Sequence, residues 1–248
     1  MGSPLLLPDG FDRVGDDRFE LFVRRDMRDW LLPVLRAAPG GWPGQTLERR
    51  RSGRGEVVIV RTDHHDCLIR PYRRGGLPAW VLRTLYFGRC PRPFTELVVT
   101  ESLRRRGAPV VEVYGAAIQW VVPGCYRGWL ASRLIAGAQT LWDWARQKRE
   151  EKERSAVFGR VGRAIRALHD RNGRHPDLNL NNILIHGDRS SPQVCLIDFD
   201  RAQLDGMRPT ELDLMRLERS ARKLDAQRVY VTDSDLAVLR SAYTGAAC

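Results

Sequence analysis

Residues 175–185 read HPDLNLNNILI, a polar loop that runs into a short apolar stretch. The loop carries Asp177 and Asn182, and a second apolar stretch, QVCLIDFD at 193–200, leads into Asp198. A carboxylate can accept a proton from a substrate hydroxyl, while amide and carboxylate oxygens are suitable ligands for the Mg²⁺ that accompanies a nucleotide. We therefore predict that Asp177 is a catalytic base and that Asn182 and Asp198 are metal ligands.

The order and spacing of these residues resemble the catalytic loop and the Asp-Phe-Gly segment of the protein-kinase fold. Phe199 stands at the phenylalanine position of that segment, and Asp200 replaces its glycine, which disfavours a backbone flip there. His175 is expected to pack the loop and to bond to backbone, not to act as a base. The alternative for the loop alone is an ordinary turn, since Asp and Asn beside a proline favour turns. The second acidic segment weakens that alternative.

The rest of the sequence divides into a strand-rich half and a helix-rich half. Apolar runs at 56–60 and 67–70 predict a hairpin, residues 93–107 predict a helix that ends at Gly107, and two further strands follow. The resemblance implies an α+β, two-lobed protein-kinase-like fold, with a small antiparallel-sheet N-terminal lobe containing one helix and a reduced helical C-terminal lobe. The expected divisions are an amphipathic extension at 1–44, the N-terminal lobe at 45–138 and the C-terminal lobe at 139–248. Residues 18–38 of the extension are expected to be helical, and whether they contact lipid stays open.

A short glycine-containing segment, SGRG at 52–55, precedes the predicted hairpin. Gly53 and Gly55 would let the backbone of a turn approach phosphate groups closely, so we predict that they contact the nucleotide. The segment lacks the third glycine of the protein-kinase loop. An ordinary hairpin turn is therefore the alternative.

No lysine occurs in the strand-rich half, so an arginine must replace the lysine that holds the α- and β-phosphates in protein kinases. Arg70 ends the second strand of the predicted hairpin and is the preferred candidate, while Arg61, on the preceding strand, is the other. An arginine fork can pair both with phosphates and with a carboxylate. That carboxylate is predicted to be Glu96 on the following helix, with Glu101 as the alternative. A solvated helix face is the simpler explanation for either glutamate.

Charge and cysteine content narrow the range of partners. Lysine and arginine number 41 against 30 aspartates and glutamates, a net charge of +11 that favours anionic partners such as nucleic acid, nucleotide phosphates or an acidic membrane. A GC-rich genome would also enrich arginine without any such function. The five scattered cysteines form no Cys-x-x-Cys pair, which is typical of reduced thiols in a cytosol. No apolar run is long enough for a membrane span, and no secretory signal is expected.

Several stretches together resemble the Kdo (3-deoxy-D-manno-octulosonic acid) kinases of the lipopolysaccharide kinase family, over about residues 45–225. They are SGRG, LIRPYRRGGLP, FTEL, HPDLNLNNILI, LIDFDRA and RLERSARKL. The resemblance implies phosphorylation of the 4-hydroxyl of Kdo on a lipid A precursor, with ATP and Mg²⁺, at the cytoplasmic face of a bacterial inner membrane. The expected partners are a lipid-linked acidic sugar acceptor and an anionic membrane surface, and not nucleic acid. Pro176 departs from the small residue that is usual between the family's His and Asp.

Three arginine clusters suit lipid A phosphates and an anionic bilayer, namely Arg49–Arg51, Arg73–Arg74 and Arg104–Arg106. A solvated charged face is the alternative for the last cluster. Two other classes of function stay open. One is a different phosphotransferase, acting on heptose, another small molecule or protein. A protein kinase is disfavoured because no Ala-Pro-Glu segment follows Asp198. The other class is a non-catalytic, kinase-shaped binding module, which the arginine at position 70 and the incomplete glycine loop would permit.

Overall fold

The computed structural model describes residues 6–37, 47–52, 55–61, 66–73, 84–88, 90–204 and 209–245. The chain forms two compact units. The first comprises Met1–Ser102 and Glu112–Leu134, and the second comprises Leu103–Val111 and Ile135–Cys248. A sheet-rich unit and a helix-rich unit make up the α+β class that the sequence predicted.

The first unit is built on one antiparallel sheet. Its strands are β1 (Phe11–Gly15), β2 (Phe19–Arg24), β3 (Leu47–Ser52), β4 (Gly55–Arg61), β5 (Asp66–Pro71), β6 (Tyr86–Phe87), β7 (Val113–Val122) and β8 (Cys125–Arg133). They follow the order β1-β2-β7-β8-β5-β4-β3, and β6 pairs with β8. A 3-10 turn (Arg25–Met27) leads into helix α1 (Arg28–Ala37), and helix α2 (Arg92–Arg105) lies within this unit as far as Ser102.

Among the described residues, each face of this sheet packs against a helix. Leu21 of β2 packs in a cluster with Leu31 and Leu35 of α1, whereas the next residue, Phe22, packs in a second cluster that includes Phe94 of α2. Successive side chains of a strand point to opposite faces, so neighbouring residues enter different clusters. The rings of Phe22 and Phe94 stack with their centroids 4.1 Å apart. Helix α2 is thereby fixed against the sheet, which places the buried Glu96 in the unit's interior.

The predicted helix at 18–38 is wrong in its first part. Residues 19–24 form β2, which pairs with β7, and the helix begins only at Arg28. The segment FELFV has apolar residues on both sides of the chain, and a strand buried between two helices needs that pattern. Residues 11–37 therefore belong to the first unit, whose described residues include the helices α1 and α2.

Strand β3 was not predicted, because LERRRS lacks an apolar run. It is the last strand in the sheet order, and a strand at an edge needs only one partner to hydrogen-bond its backbone. The hairpin of β4 and β5, helix α2 and the strands β7 and β8 are confirmed. The first unit ends at Leu134, and the predicted boundary at 138–139 stays a prediction.

The second unit combines short strands with four helices in the part of the chain that is described. They are β9 (Gln139–Thr140), α3 (Leu141–Ala145), α4 (Glu151–Asp170), β10 (Gly173–Arg174), β11 (Ile183–His186), β12 (Gln193–Leu196), β13 (Gln203–Leu204), α5 (Glu211–Leu224) and α6 (Asp233–Thr244). Strands β12, β11 and β9 form one antiparallel sheet, and β10 pairs with β13. A 3-10 helix, Leu180–Asn182, precedes β11.

The long helix α4 packs closely against α6. A Cβ atom at Gly162 of α4 would lie 2.2 Å from the backbone oxygen of Leu239, so only glycine permits this approach. Helix α6 begins with a reciprocal cap, in which the side chains of Thr232 and Asp235 each accept a hydrogen bond from the other's backbone N–H. Helix α4 also contacts β10 and β12, the strands that precede the two loops of the candidate site.

Candidate active site

The loop that contains Asp177 is held by its own polar groups. The backbone oxygen of Asp177 accepts hydrogen bonds from the amide nitrogens of Asn179 (2.8 Å) and Asn182 (2.9 Å). The side-chain oxygen of Asn179 in turn accepts from the backbone N–H of Asn181 and caps the 3-10 helix. These bonds fix the backbone at Asp177 without using its carboxylate, and the side chain is 59% exposed. A substrate hydroxyl therefore has access to the carboxylate.

Asn182 presents an oxygen atom at this loop. A backbone carbonyl can only accept hydrogen bonds, so the atom of Asn182 that faces the Asp177 oxygen must be its NH₂ group. The side-chain oxygen is left for another ligand. The backbone oxygen of Asn182 also accepts a hydrogen bond of 3.0 Å from the N–H of Ile197. Because Ile183 pairs with Leu196, Asn182 and Asp198 lie at the same end of the β11–β12 hairpin.

Asp198 adopts the left-handed backbone conformation, with φ of 69°. This conformation is uncommon outside glycine, although Asp and Asn tolerate it best, and it is concentrated at functional sites. The following residue, Phe199, is buried, and its ring lies 4.6 Å from the ring of His175. The buried ring therefore anchors the turn that sets the direction of Asp198.

His175 is fully buried behind the loop. Its backbone N–H donates to a carboxylate oxygen of Asp213 (2.7 Å), and its ring nitrogen Nε2 lies 2.9 Å from the backbone oxygen of Ile197. Burial lowers the pKa of the imidazole, so the ring is neutral, and Nε2 must carry the hydrogen that it donates to the carbonyl. This geometry is that of a packing and bonding residue, as the sequence indicated.

Asp213 is a functional candidate that the sequence did not single out. It lies on α5 with no exposed surface, and besides His175 its carboxylate is 3.3 Å from Nε2 of His169. His169 in turn is 2.9 Å from the hydroxyl of Tyr243. A sequence signal existed, because Asp213 shares the buried face of α5 with Leu217 and Ala221 at helical spacing. An aspartate at such a position indicates a buried polar partner.

Arg216, on the same helix, is the second residue that was missed. Its Nη1 atom lies 3.2 Å from Oδ1 of Asp177. The side chain occupies an exposed position of α5, where arginine is common. Arg216 begins the segment RLERSARKL, but the resemblance that this segment carries assigned the residue no role.

In the first unit, Arg70 at the end of β5 forms an ion pair with Glu96 of α2. Its Nη2 atom lies 2.7 Å from both carboxylate oxygens, and the hydroxyl of Tyr72 also bonds to this carboxylate. The Glu96 side chain is 2% exposed and that of Arg70 is 30% exposed. Glu96, and not Glu101, is therefore the partner of Arg70. A role for this pair in holding phosphates stays a prediction.

The remaining candidates are Gly53, Gly55 and Arg61. Gly55 begins β4 opposite Ser52 of β3, as in an ordinary hairpin, and Gly53 lies outside the described residues. Arg61 is on β4, one strand before Arg70, and pairs with Asp66 at 2.9 Å. Neither observation tests contact with a nucleotide.

Arg70→Ala is expected to lower kcat/KM for ATP by about 10- to 100-fold, the loss expected from one hydrogen bond to a charged group. Arg61→Ala, which removes an exposed arginine, should change it little. Arg70→Lys is expected to recover only part of the activity, because a lysine lacks the bidentate fork. Steady-state kinetics with varied ATP measure this ranking.

Arg70→Ala also removes a cation from the buried Glu96, so the free energy of unfolding should fall by about 1–3 kcal/mol. Denaturant unfolding must show that the variant is folded at the assay temperature. A larger kinetic effect for Arg61→Ala than for Arg70→Ala would contradict the assignment.

The donor atoms at the β11–β12 hairpin suit a magnesium ion. Mg²⁺ prefers oxygen ligands and usually takes only one or two carboxylates from the protein, the rest coming from water and phosphate. Asn182 and Asp198 supply one amide oxygen and one carboxylate. Within the described residues no group of three or more His, Cys, Asp or Glu side chains comes together as a metal site. With one amide oxygen and one carboxylate, Asn182 and Asp198 would hold the ion together with nucleotide oxygens.

Comparison with solved structures identifies the fold. The chain is similar to WaaP, whose structure was solved in complex with acyl carrier protein, with a TM-score of 0.54. The similarity covers 81% of this chain and 79% of that one, at 16% sequence identity. At this identity the likeness establishes the fold alone. The kinase-like α+β fold predicted from the sequence is confirmed.

Sequence comparisons establish the family. The chain is 31% identical over 212 residues to a 3-deoxy-D-manno-octulosonic acid kinase of Xylella fastidiosa (strain 9a5c), covering 83% of this chain and 82% of that protein. It is 32% identical over 200 residues to the enzyme of that name from Haemophilus influenzae (strain 86-028NP), covering 77% and 82%. Residues 43–243 match the model of the lipopolysaccharide kinase (Kdo/WaaP) family. The chain therefore belongs to the lipopolysaccharide kinase (Kdo/WaaP) family, as its sequence motifs indicated.

Proposed function

We propose that this protein is a kinase that uses ATP to phosphorylate the 4-hydroxyl of a Kdo residue on a lipid A precursor. The observation that carries the proposal is the exposed carboxylate of Asp177, on a loop fixed through its backbone next to Asn182. Membership of the family and the names of its relatives support Kdo as the sugar. The position of the hydroxyl and the lipid A precursor rest on the resemblance of the motifs.

Each candidate residue has a chemical role in this proposal. The Asp177 carboxylate accepts the proton of the sugar hydroxyl. At the same time, the hydroxyl oxygen forms a bond to the γ-phosphorus of ATP. The bond from that phosphorus to the β,γ-bridging oxygen breaks, and ADP leaves. Asn182 and Asp198 would hold Mg²⁺, which supplies positive charge to the phosphates. Arg70, positioned by Glu96, is assigned to the α- and β-phosphates.

The test is to incubate the protein with ATP, Mg²⁺ and a Kdo-bearing lipid A precursor. Mass spectrometry identifies the product, and the position of the new phosphate on it is then determined. The proposal expects one phosphate on the 4-oxygen of Kdo. A matched acceptor without Kdo should not be phosphorylated. Transfer to heptose or to protein in preference to Kdo would favour another phosphotransferase. Nucleotide binding without turnover would favour a non-catalytic module.

We also propose that the protein acts at an anionic membrane surface as a peripheral protein. No helix of the described residues has the length and apolar character needed to cross a bilayer. Of the three arginine clusters, the last has two exposed members. They are Arg105, the last residue of α2, and Arg106, which follows it. Arg74 lies outside the described residues, as do the side chains of Arg49–Arg51. The apolar residues Leu31 and Leu35 of α1 are buried in the core, which argues against insertion of this helix into lipid.

Co-sedimentation with liposomes tests the membrane proposal. Each Lys or Arg near an anionic surface contributes about 1 kcal/mol, and the attraction falls off within a Debye length of about 8 Å at physiological salt. Binding to vesicles that contain acidic lipid should therefore decrease steeply as salt rises, and neutral vesicles should bind little. Equal binding to both kinds of vesicle, or binding that salt does not change, would contradict an electrostatic contact.

A further inference from the structure

Arg216 places a cation directly beside the predicted catalytic base. Its guanidinium lies 3.2 Å from Oδ1 of Asp177, and the two side chains are 43% and 59% exposed. Within the described part of the chain, Asp177 is the one carboxylate that Arg216 meets at ion-pair distance. An arginine has five N–H donors, so this single contact leaves most of the fork available to a ligand.

The position of Arg216 is set by the buried side of its helix. Three residues earlier on α5, Asp213 accepts the backbone N–H of His175 at 2.7 Å, two residues before Asp177. Helix α5 is thus tied to the loop by a buried bond, and Arg216 emerges one turn further on beside the carboxylate. The arrangement fixes the guanidinium near the point where the acceptor hydroxyl must lie.

A purely structural role explains this contact poorly. Ion pairs between exposed side chains contribute little to stability, and the buried residues of α5 already hold the helix. An arginine that stayed on Asp177 would also compete with the substrate hydroxyl for a carboxylate oxygen. The contact therefore suits a state without substrate, in which Asp177 pairs with Arg216. When the substrate binds, an anion of the substrate replaces Asp177 as the partner of Arg216.

The acceptor of the named relatives is an acid, which means that the sugar carries a carboxylate of its own. In a 2-ulosonic acid the carboxylate is attached to ring carbon 2, and the 4-hydroxyl lies two carbons further round the same ring. A cation and a base held side by side match a carboxylate and a hydroxyl on one sugar ring. A guanidinium binds carboxylates through two parallel hydrogen bonds, which fixes orientation as well as position.

We propose that Arg216 binds the carboxylate of the acidic sugar and so places the sugar's hydroxyl at Asp177. This inference rests on the proposed function, because it requires a sugar acid as acceptor. It makes Arg216 a determinant of acceptor specificity. The same guanidinium would also suit a phosphate of the nucleotide or of the lipid, so the experiment must separate these anions.

The test compares the Kdo-bearing lipid A precursor with the same acceptor after its Kdo carboxylate is converted to the neutral amide. For the wild-type enzyme, the amide is expected to lower kcat/KM for the acceptor by about 10- to 100-fold, as for loss of a charge-assisted hydrogen bond. The Arg216→Gln variant should have a kcat/KM for the acid that is lower than that of the wild type by a similar factor. Its kcat/KM values for the acid and the amide should be nearly equal. KM for ATP and the melting temperature should not change. Arg216→Lys should restore part of the preference for the acid.

Arg222→Gln is the matched control, since Arg222 is exposed on the same helix and has no role in the proposal. It should keep the wild-type preference. If Arg216→Gln also keeps that preference, or if its main effect is on KM for ATP, the inference is overturned and the proposed function is not. A lower affinity for acid and amide alike would assign Arg216 to a lipid phosphate and would also overturn it. A wild-type enzyme that phosphorylates neither acceptor would remove the proposed function, and this inference with it.

Discussion

Asp177→Asn is expected to lower kcat by about 10²–10⁴-fold, the usual contribution of a positioned general base, with little change in the affinity for ATP. The substitution keeps the size and shape of the side chain but removes its ability to accept the hydroxyl proton. It should also leave the loop intact, because Asn179 and Asn182 bond to the backbone oxygen of residue 177 and not to its carboxylate. Steady-state kinetics with the Kdo-bearing acceptor measure kcat, and nucleotide titration measures the affinity.

Asp170→Asn provides a matched control for this prediction. Asp170 is likewise an exposed aspartate of the second unit with an arginine partner, Arg166, at 2.7 Å. This variant loses one surface ion pair, which contributes about 0–1 kcal/mol, and should keep wild-type turnover. Wild-type turnover in folded Asp177→Asn would remove the assignment of the base. A large loss of activity in Asp170→Asn would show instead that surface charge in general controls the rate.

The elements that the sequence predicted well are those whose pattern fits one structure only. The runs at β4 and β5 are short, rich in β-branched residues and separated by polar residues, so a hairpin was the simplest interpretation. Residues 18–38 were different, because their apolar residues satisfy the helical period as well as they satisfy a buried strand. The pairing of β2 with β7 decides between the two, and β7 lies far away in the sequence. Tertiary contacts of this kind cannot be read from a local pattern.

The contrast between local sequence patterns and tertiary contacts also applies to the residues of the candidate site. Asp177, Asn182 and Asp198 lie in two short segments whose spacing carries the information, so the sequence alone names them as candidates, and their roles stay predictions. Glu96 was preferred over Glu101 by position alone, and the structure pairs it with Arg70. Asp213 and Arg216 lie farther along the chain, on a helix whose segment RLERSARKL contributes to the family resemblance but indicates no catalytic or binding residue. Their relation to the loop exists only once α5 is folded against it.

The second large effect is expected for Asp198→Asn, which should raise the Mg²⁺ concentration needed for half-maximal activity. Replacing residues that only support a metal's ligands commonly costs 10- to 100-fold in affinity or activity, so we expect a loss of at least about that size from a ligand itself. Asparagine is the informative substitution here. With φ of 69°, position 198 would be strained by alanine, whereas asparagine tolerates the left-handed region nearly as well as aspartate. The variant therefore changes the charge of the side chain and leaves the turn in place.

Asp200→Asn is the competing variant, because the segment LIDFD offers two aspartates as the possible ligand. The hydrogen bond from Ile197 to Asn182 brings position 198 to the end of the hairpin where Asn182 lies, which favours Asp198. Magnesium titrations of activity for both variants, with nucleotide binding measured in a chelator, separate the metal from the nucleotide. Asp198→Asn should bind metal-free nucleotide as the wild type does and should need more Mg²⁺ for turnover, while Asp200→Asn should shift the titration little. The opposite ranking would move the metal ligand to Asp200, and an unchanged titration in both would leave LIDFD without a role in binding the ion.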